Sequence, residues 1–167
     1  MESIIQKVFE QNFMDEAQKG QSPESPVLGG QNERIENEFD VEVKEARILS
    51  IGVGGAGNNC ISRLHEMGIK GAQTVAINTD AKHLGITSAD IKILLGKELT
   101  KGLGAGGYPE TGRKAALESE RELKKLLKDV DMIYLTLGLG GGTGTGAGPV
   151  IAKIAKEAGA IVIGCVT

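Results

Sequence analysis

Glycine is gathered into three short stretches of this 167-residue chain, and that clustering most constrains what it can fold into. Of its 25 glycines, four lie in residues 52–57, four in 102–107 and seven in 138–148. A flexible linker would spread glycine more evenly and mix it with serine. Clustering points instead to three backbone loops that something approaches closely.

The runs around the clusters give the fold class. Residues 47–53, 74–78, 91–95, 132–137 and 160–166 are short, apolar and rich in β-branched residues, and read as buried strands. Residues 58–67, 81–86, 113–128 and 146–158 read as helices, with Thr111 placed to cap the third. Arg113, Lys114, Glu118, Glu120, Arg121, Lys124 and Lys125 form the wet side of that helix. Strands alternating with helices imply a parallel sheet with right-handed crossovers, an α/β doubly wound, Rossmann-like sheet covered on both faces. Each glycine cluster follows a strand, the first, third or fourth. All three loops are therefore expected on the carboxyl edge of the sheet, where such folds bind ligands.

Residues 1–45 differ in character. Ile4, Ile5, Val8, Phe9 and Phe13 recur at helical spacing, so residues 3–18 read as an amphipathic helix that folds back onto the body or frays. A Gly/Ser/Pro linker follows, then a charged stretch over 33–44. The expected organisation is an extension over 1–45 and a nucleotide-binding domain over 46–167.

Charge and composition exclude several classes. The net charge of -3 and pI near 5.5 give no basic field for nucleic acid, and the scarcity of aromatics argues against base-stacking platforms. There is no run of 18 apolar residues, so direct membrane insertion is not expected, and the start lacks the pattern of a secretory signal. Cys60 and Cys165 sit in apolar stretches without metal spacing and read as reduced core thiols of a cytosolic protein. His65 and His83 read as solvated, and Asp129 with Asp131 as a turn before a strand.

The first loop, Gly52-Val53-Gly54-Gly55-Ala56-Gly57-Asn58-Asn59, contains Gly-x-Gly-x-x-Gly between a strand and a helix. Backbone N–H groups and a helix dipole there suit phosphate. With Asp80 near the end of the next strand, this loop alone also fits an NAD-type dinucleotide oxidoreductase. The third loop separates the two. Gly140-Gly141-Gly142-Thr143-Gly144-Thr145-Gly146 is a second cradle that a dinucleotide enzyme does not need. It has no P-loop lysine, so backbone N–H groups, threonine hydroxyls, the helix dipole and Mg²⁺ must meet the phosphate charge.

That run resembles the tubulin signature. With Gly-Gly-Ala-Gly-Asn-Asn, Asn78-Thr79-Asp80 and Gly102-Leu103-Gly104-Ala105-Gly106-Gly107, residues 46–167 resemble the FtsZ family of prokaryotic tubulin homologues almost continuously. The charged extension is similar to those of archaeal members. The resemblance implies a GTP/GDP-binding, GTP-hydrolysing filament subunit of the cell-division ring, cytoplasmic and at mid-cell, that assembles head to tail with itself and meets division-ring adaptor proteins. It places Gly54, Gly55, Ala56, Gly57, Asn58 and Asn59 around the α- and β-phosphates, with Asn59 near the base. It makes Gly141, Gly142, Thr143, Gly144 and Thr145 the main phosphate cradle, and Ala105, Gly106 and Gly107 the γ-phosphate-sensing loop. Thr79 and Asp80 flank the nucleotide and the subunit contact.

In the family, residues that read ribose and guanine, and the acidic loop by which a neighbour positions the attacking water, follow beyond the position of Thr167. The expectation is therefore an amino-terminal part of a GTPase, truncated after the fifth strand. It would carry no catalytic residue of its own and leave an apolar edge strand. A non-hydrolysing fragment that caps the parent polymer is the remaining alternative.

Overall fold

The computed structural model describes residues 44–167; the expected helix over 3–18, the linker and the charged stretch up to residue 43 lie outside the described residues. Five strands alternate with helices: β1 (Ile48–Val53), α1 (Gly54–Glu66), β2 (Gln73–Asn78), α2 (Ala81–Ile86), β3 (Ile91–Leu94), the single turn α3 (Lys97–Thr100), α4 (Pro109–Glu118), α5 (Glu120–Leu127), β4 (Met132–Leu137), α6 (Gly142–Glu157) and β5 (Ile161–Val166). The sheet is parallel throughout, in the order β3-β2-β1-β4-β5. The chain winds outward from β1 in one direction, then crosses back to β4, so the order reverses between β1 and β4. Val53 is level with Ile77 on one side and Leu137 on the other. The carboxyl ends of three strands therefore open at one height, where a doubly wound sheet receives its ligand.

The core follows from strand alternation. Leu49, Ile51 and Val53 of β1, Val75 and Ile77 of β2, and Ile133, Leu135 and Leu137 of β4 point to one face and are buried there. Ala115 and Ala116 of α4, Leu123 and Leu127 of α5, and Ala147, Ile151, Ile154 and Ala155 of α6 cover them. Each fully buried Leu or Ile contributes roughly 1.5–3 kcal/mol. Alanine and glycine at the α4–α6 contact let the helices approach closely: a β-carbon on Gly146 would clash with the Pro109 carbonyl oxygen. The opposite face is covered by α1 over β1 and β2, where Ile61 packs against Gly52. Coverage thins toward the other edge. Tyr134 is 39% exposed and β5 is largely open, so the expectation of two fully covered faces holds only for the centre of the sheet.

Several local expectations are corrected. Helices α1 and α6 start at Gly54 and Gly142, four residues earlier than expected, because their glycines pack against strand ends and tertiary contact overrides poor helix propensity. Thr111 is not a cap. Tyr108 is the N-cap and Pro109 takes the first helical position, where its fixed φ fits and its missing N–H costs nothing. The expected helix over 113–128 is two helices meeting at Ser119, whose buried hydroxyl accepts from the Gly96 N–H at 3.1 Å. Cys60 and Cys165 are exposed, not core thiols, because α1 turns the first outward and the second lies on the open β5. The histidines are engaged, not merely solvated. The Nδ1 of His65 is 3.0 Å from the Thr74 hydroxyl, and the Nδ1 of His83 is 3.3 Å from the Asn78 amide nitrogen. Asp129, at φ 56, makes the expected turn, and the Asp131 carboxylate accepts from the Arg47 N–H at 2.7 Å. Among the described residues, no helix is long and apolar enough to cross a membrane.

Candidate functional site

The three glycine-rich loops meet at the carboxyl edge of the sheet, around the point where the strand order reverses. The first and third interlock directly: a β-carbon on Gly54 (φ +71) would lie 2.9 Å from the Gly144 amide nitrogen. The third and second interlock through Gly142, where a β-carbon would lie 2.8 Å from that of Ala105 and 2.9 Å from the Tyr108 nitrogen. Gly57 carries α1 so close to β4 that a side chain there would clash with the Thr136 carbonyl oxygen. Beside these packing glycines stand others with nothing within 4 Å of a notional β-carbon: Gly55, Gly107, Gly140 and Gly141. The two sets have different work. One holds the loops together, and the other leaves bare backbone facing open space.

The electrostatics of this edge favour an anion. Helices α1 and α6 both begin here, neither has a side-chain N-cap, and neither has an acidic residue in its first turn. Their free N–H groups and the positive ends of their dipoles are left for something negative. The β4–α6 loop is shaped by Thr145, whose hydroxyl accepts from the Gly140 N–H at 3.1 Å, with Gly140 at φ +91. Lysine plays no part in this arrangement.

The β2–α2 turn forms the third wall. The Oδ1 of Asn78 accepts from the N–H groups of Thr79 (2.9 Å) and Asp80 (3.3 Å), folding the chain sharply at the end of β2. Thr79 is fully buried, and its hydroxyl lies 2.7 Å from that of Thr143 in the first turn of α6. Its carbonyl oxygen accepts from the Gly104 N–H at 3.1 Å and the Thr100 hydroxyl at 3.3 Å, which ties down the second loop. The Oδ1 of Asp80 accepts from the His83 N–H at 3.0 Å and so caps α2.

Apart from Asp80, which caps α2, the site residues expected from the sequence fall into three groups. Gly54, Gly142, Thr143, Gly144, Thr145, Ala105 and Thr79 are brought together as the frame of the cradle. Gly55, Ala56, Gly106, Gly107 and Gly141 are exposed along its rim. Asn58 and Gly57 point inward. Asn58 is 0% exposed and, with its amide oriented to suit its neighbours, donates to the Gly52 and Ile77 carbonyl oxygens at 3.0 and 3.2 Å. It cross-links β1 and β2, leaving Asn59 as the exposed asparagine of the pair. Asn78, quoted only within the Asn78-Thr79-Asp80 motif, was given no role of its own, and Thr100 and Tyr108 were missed. An Asn ending a strand before Thr-Asp is a turn signal that could have marked the first; the other two carry no sequence signal.

The fold and this lysine-free cradle define a doubly wound α/β protein of the tubulin-like type, with a sheet edge suited to an anion. Residues 47–167 match the family described as Tubulin/FtsZ family, GTPase domain, and the chain belongs to that family. It is 60% identical over 126 residues to cell division protein FtsZ 2 of Methanocaldococcus jannaschii, covering 75% of this chain and 33% of that protein. It is 47% identical over 167 residues to cell division protein FtsZ 2 of Haloferax volcanii, covering 100% of this chain and 38% of that one. Among solved structures, an empty FtsZ dimer from M. jannaschii superposes with a TM-score of 0.74 at 52% identity, over 86% of this chain and 40% of that chain. The chain thus spans well under half the length of these relatives. The dinucleotide-oxidoreductase alternative is not favoured, since the family is a GTPase family.

Proposed function

We propose that this chain is the nucleotide-carrying part of a GTP-binding and GTP-hydrolysing filament subunit of the cell-division ring. The observation that carries the reading is the meeting of two uncapped helix N-termini with bare glycine backbone at the point where the strand order reverses. A polyphosphate fits there without a lysine, because N–H groups and dipoles supply the positive charge. In this reading Gly55, Ala56 and Asn59 lie along the nucleotide, and Gly141–Thr145 cradle its phosphates. Ala105, Gly106 and Gly107 stand at the terminal phosphate. No group of three or more acidic, His or Cys side chains among the described residues could hold a metal by itself. Mg²⁺ would therefore be held chiefly by phosphate oxygens and water, as suits that ion.

Hydrolysis is read as completed between subunits. Asp80 at this edge caps α2 through one carboxylate oxygen, and the chain is expected to bind nucleotide with little turnover alone. Leu103, Tyr108 and Leu139 are 82%, 70% and 62% exposed on the loops around the cradle. Exposed apolar groups beside a nucleotide favour a head-to-tail contact with a second copy of the chain. Division-ring adaptors and a cytoplasmic, mid-cell location belong to the same proposal.

Calorimetric titration of the chain with GTP, GDP, ATP and NAD, each with Mg²⁺, tests it. Binding of the guanine nucleotides alone is expected. Binding of NAD, or of no guanine nucleotide by the folded chain, would overturn the reading for this chain.

A further inference from the structure

Thr79 and Thr143 are 64 residues apart in sequence, yet their buried hydroxyls are 2.7 Å apart. Two hydroxyls carry two protons, and one proton makes the bond between them. Donor accounting decides its direction. Among the described residues the Thr79 hydroxyl has no other hydrogen-bond partner, and Thr79 is 0% exposed. Were Thr143 the donor, the Thr79 proton would be stranded in the interior, which buried polar groups avoid. With Thr79 as donor, Thr143 accepts and keeps its own proton, on a residue that is still 9% exposed where Thr79 is fully enclosed. That proton then sits in the first turn of α6, beside the open backbone of Gly141, with no acceptor among the described residues.

We propose that Thr79 is a positioning residue for phosphate recognition, resting on the nucleotide reading above. Its hydroxyl donates to Thr143, fixing the Thr143 side chain and polarising its proton toward an anionic oxygen at the start of α6. Thr79 cannot itself touch the nucleotide, because it is fully buried. It acts through Thr143. The same residue accepts from Gly104 and Thr100 through its carbonyl oxygen, so the second glycine-rich loop hangs from the residue that sets the cradle.

The test compares the wild-type chain with Thr79→Val, which keeps the shape and loses the hydroxyl, and Thr79→Ser, which keeps the hydroxyl. Without ligand, Thr79→Val should shift the amide resonances of Gly142, Thr143 and Gly144 and raise their hydrogen-exchange rates by about fivefold or more. With Mg²⁺ present, the affinity for both GTP and GDP should fall about tenfold in Thr79→Val, as expected for one lost hydrogen bond to an ion-binding group. Thr79→Ser should stay within about twofold of wild type in both readouts. Unmoved resonances and affinity in Thr79→Val would overturn the proposal, as would failure of Thr79→Ser to restore them. If Thr79→Val does not fold, Thr143→Val reads the bond from its other end, through shifts at the Thr79 and Gly104 amides. A wild-type chain that binds neither nucleotide defeats the nucleotide reading, while the ligand-free resonances still decide whether Thr79 positions Thr143.

Discussion

The Oδ2 of Asp90 accepts both the backbone N–H of Thr74, at 2.8 Å, and its hydroxyl, at 2.7 Å. The Asp90 N–H returns a bond to the same hydroxyl at 3.0 Å, so the starts of β2 and β3 are clamped together. That hydroxyl already donates its proton to Asp90, so His65 must approach it with Nδ1–H as donor. The backbone bond from Thr74, then its hydroxyl, hold the Asp90 carboxyl below its ordinary value of 3.8, with a smaller contribution from nearby His65. Removing the carboxylate in Asp90→Ala would strand the donors of fully buried Thr74 and should cost about 1–3 kcal/mol of stability.

The same clamp should be acid-sensitive. A carboxyl whose folded pKa is lowered contributes stability above its unfolded value, and that contribution is lost as pH falls through the folded value. Denaturant titrations should therefore show the wild-type advantage over Asp90→Ala in full above about pH 5, shrinking as the pH is taken below about 4. A gap that stays constant down to the acid limb would exclude this carboxylate as its source.

The packing glycines should tolerate nothing larger. Gly57→Ala drives a β-carbon into the Thr136 carbonyl, and Gly146→Ala drives one into that of Pro109. Both neighbours are backbone and cannot swing aside. Each substitution should lower stability by about 1–3 kcal/mol or more, seen as a lower melting temperature or insoluble expression.

The rim glycines should behave in the opposite way. Gly55 and Gly141 have open space around a notional β-carbon, and Gly141 at φ -89 is already in a conformation any residue adopts. Alanine at either position should leave thermal stability within about 0.5 kcal/mol of wild type. It should still weaken GTP and GDP binding by about tenfold or more, because the methyl stands where phosphate would approach the backbone. Alanine variants that bind nucleotide as well as wild type would place the phosphates elsewhere.

Self-association should depend on the apolar rim. Replacing Leu103 and Leu139, 82% and 62% exposed, with serine should reduce the average mass seen by sedimentation velocity with GTP and Mg²⁺. Nucleotide affinity should not change. An unaltered sedimentation profile would remove these loops from the contact.

Much of this was legible in the sequence. All five strands lie within a residue of their expected ends, because buried parallel strands are nearly continuous apolar runs bounded by glycine. The helix starts were less legible. Glycine is a poor helix former, so residues 54–57 and 142–145 read as loop until β1, β4 and α4 are seen packed against them. The cysteines failed for a related reason. An apolar neighbourhood in sequence does not say which side of α1 or β5 is covered. Asn58 looked like a ligand contact because it stands in a ligand-binding motif, and only its burial reveals a cross-link between strands.

What the sequence determined by itself is the alternation of strand and helix, and hence a parallel sheet with all its glycine-rich loops on one edge. That follows from periodicity, chain connectivity and the handedness of crossovers, all of which are local or topological. The tertiary structure alone decided which glycines are spacers and which are bare rim. Spacing cannot distinguish Gly57 from Gly55, and the distinction rests on whether another segment's backbone lies within a bond length or two. It also decided that Thr79 meets Thr143, since a hydrogen bond between hydroxyls 64 residues apart depends on the two chain segments being folded together.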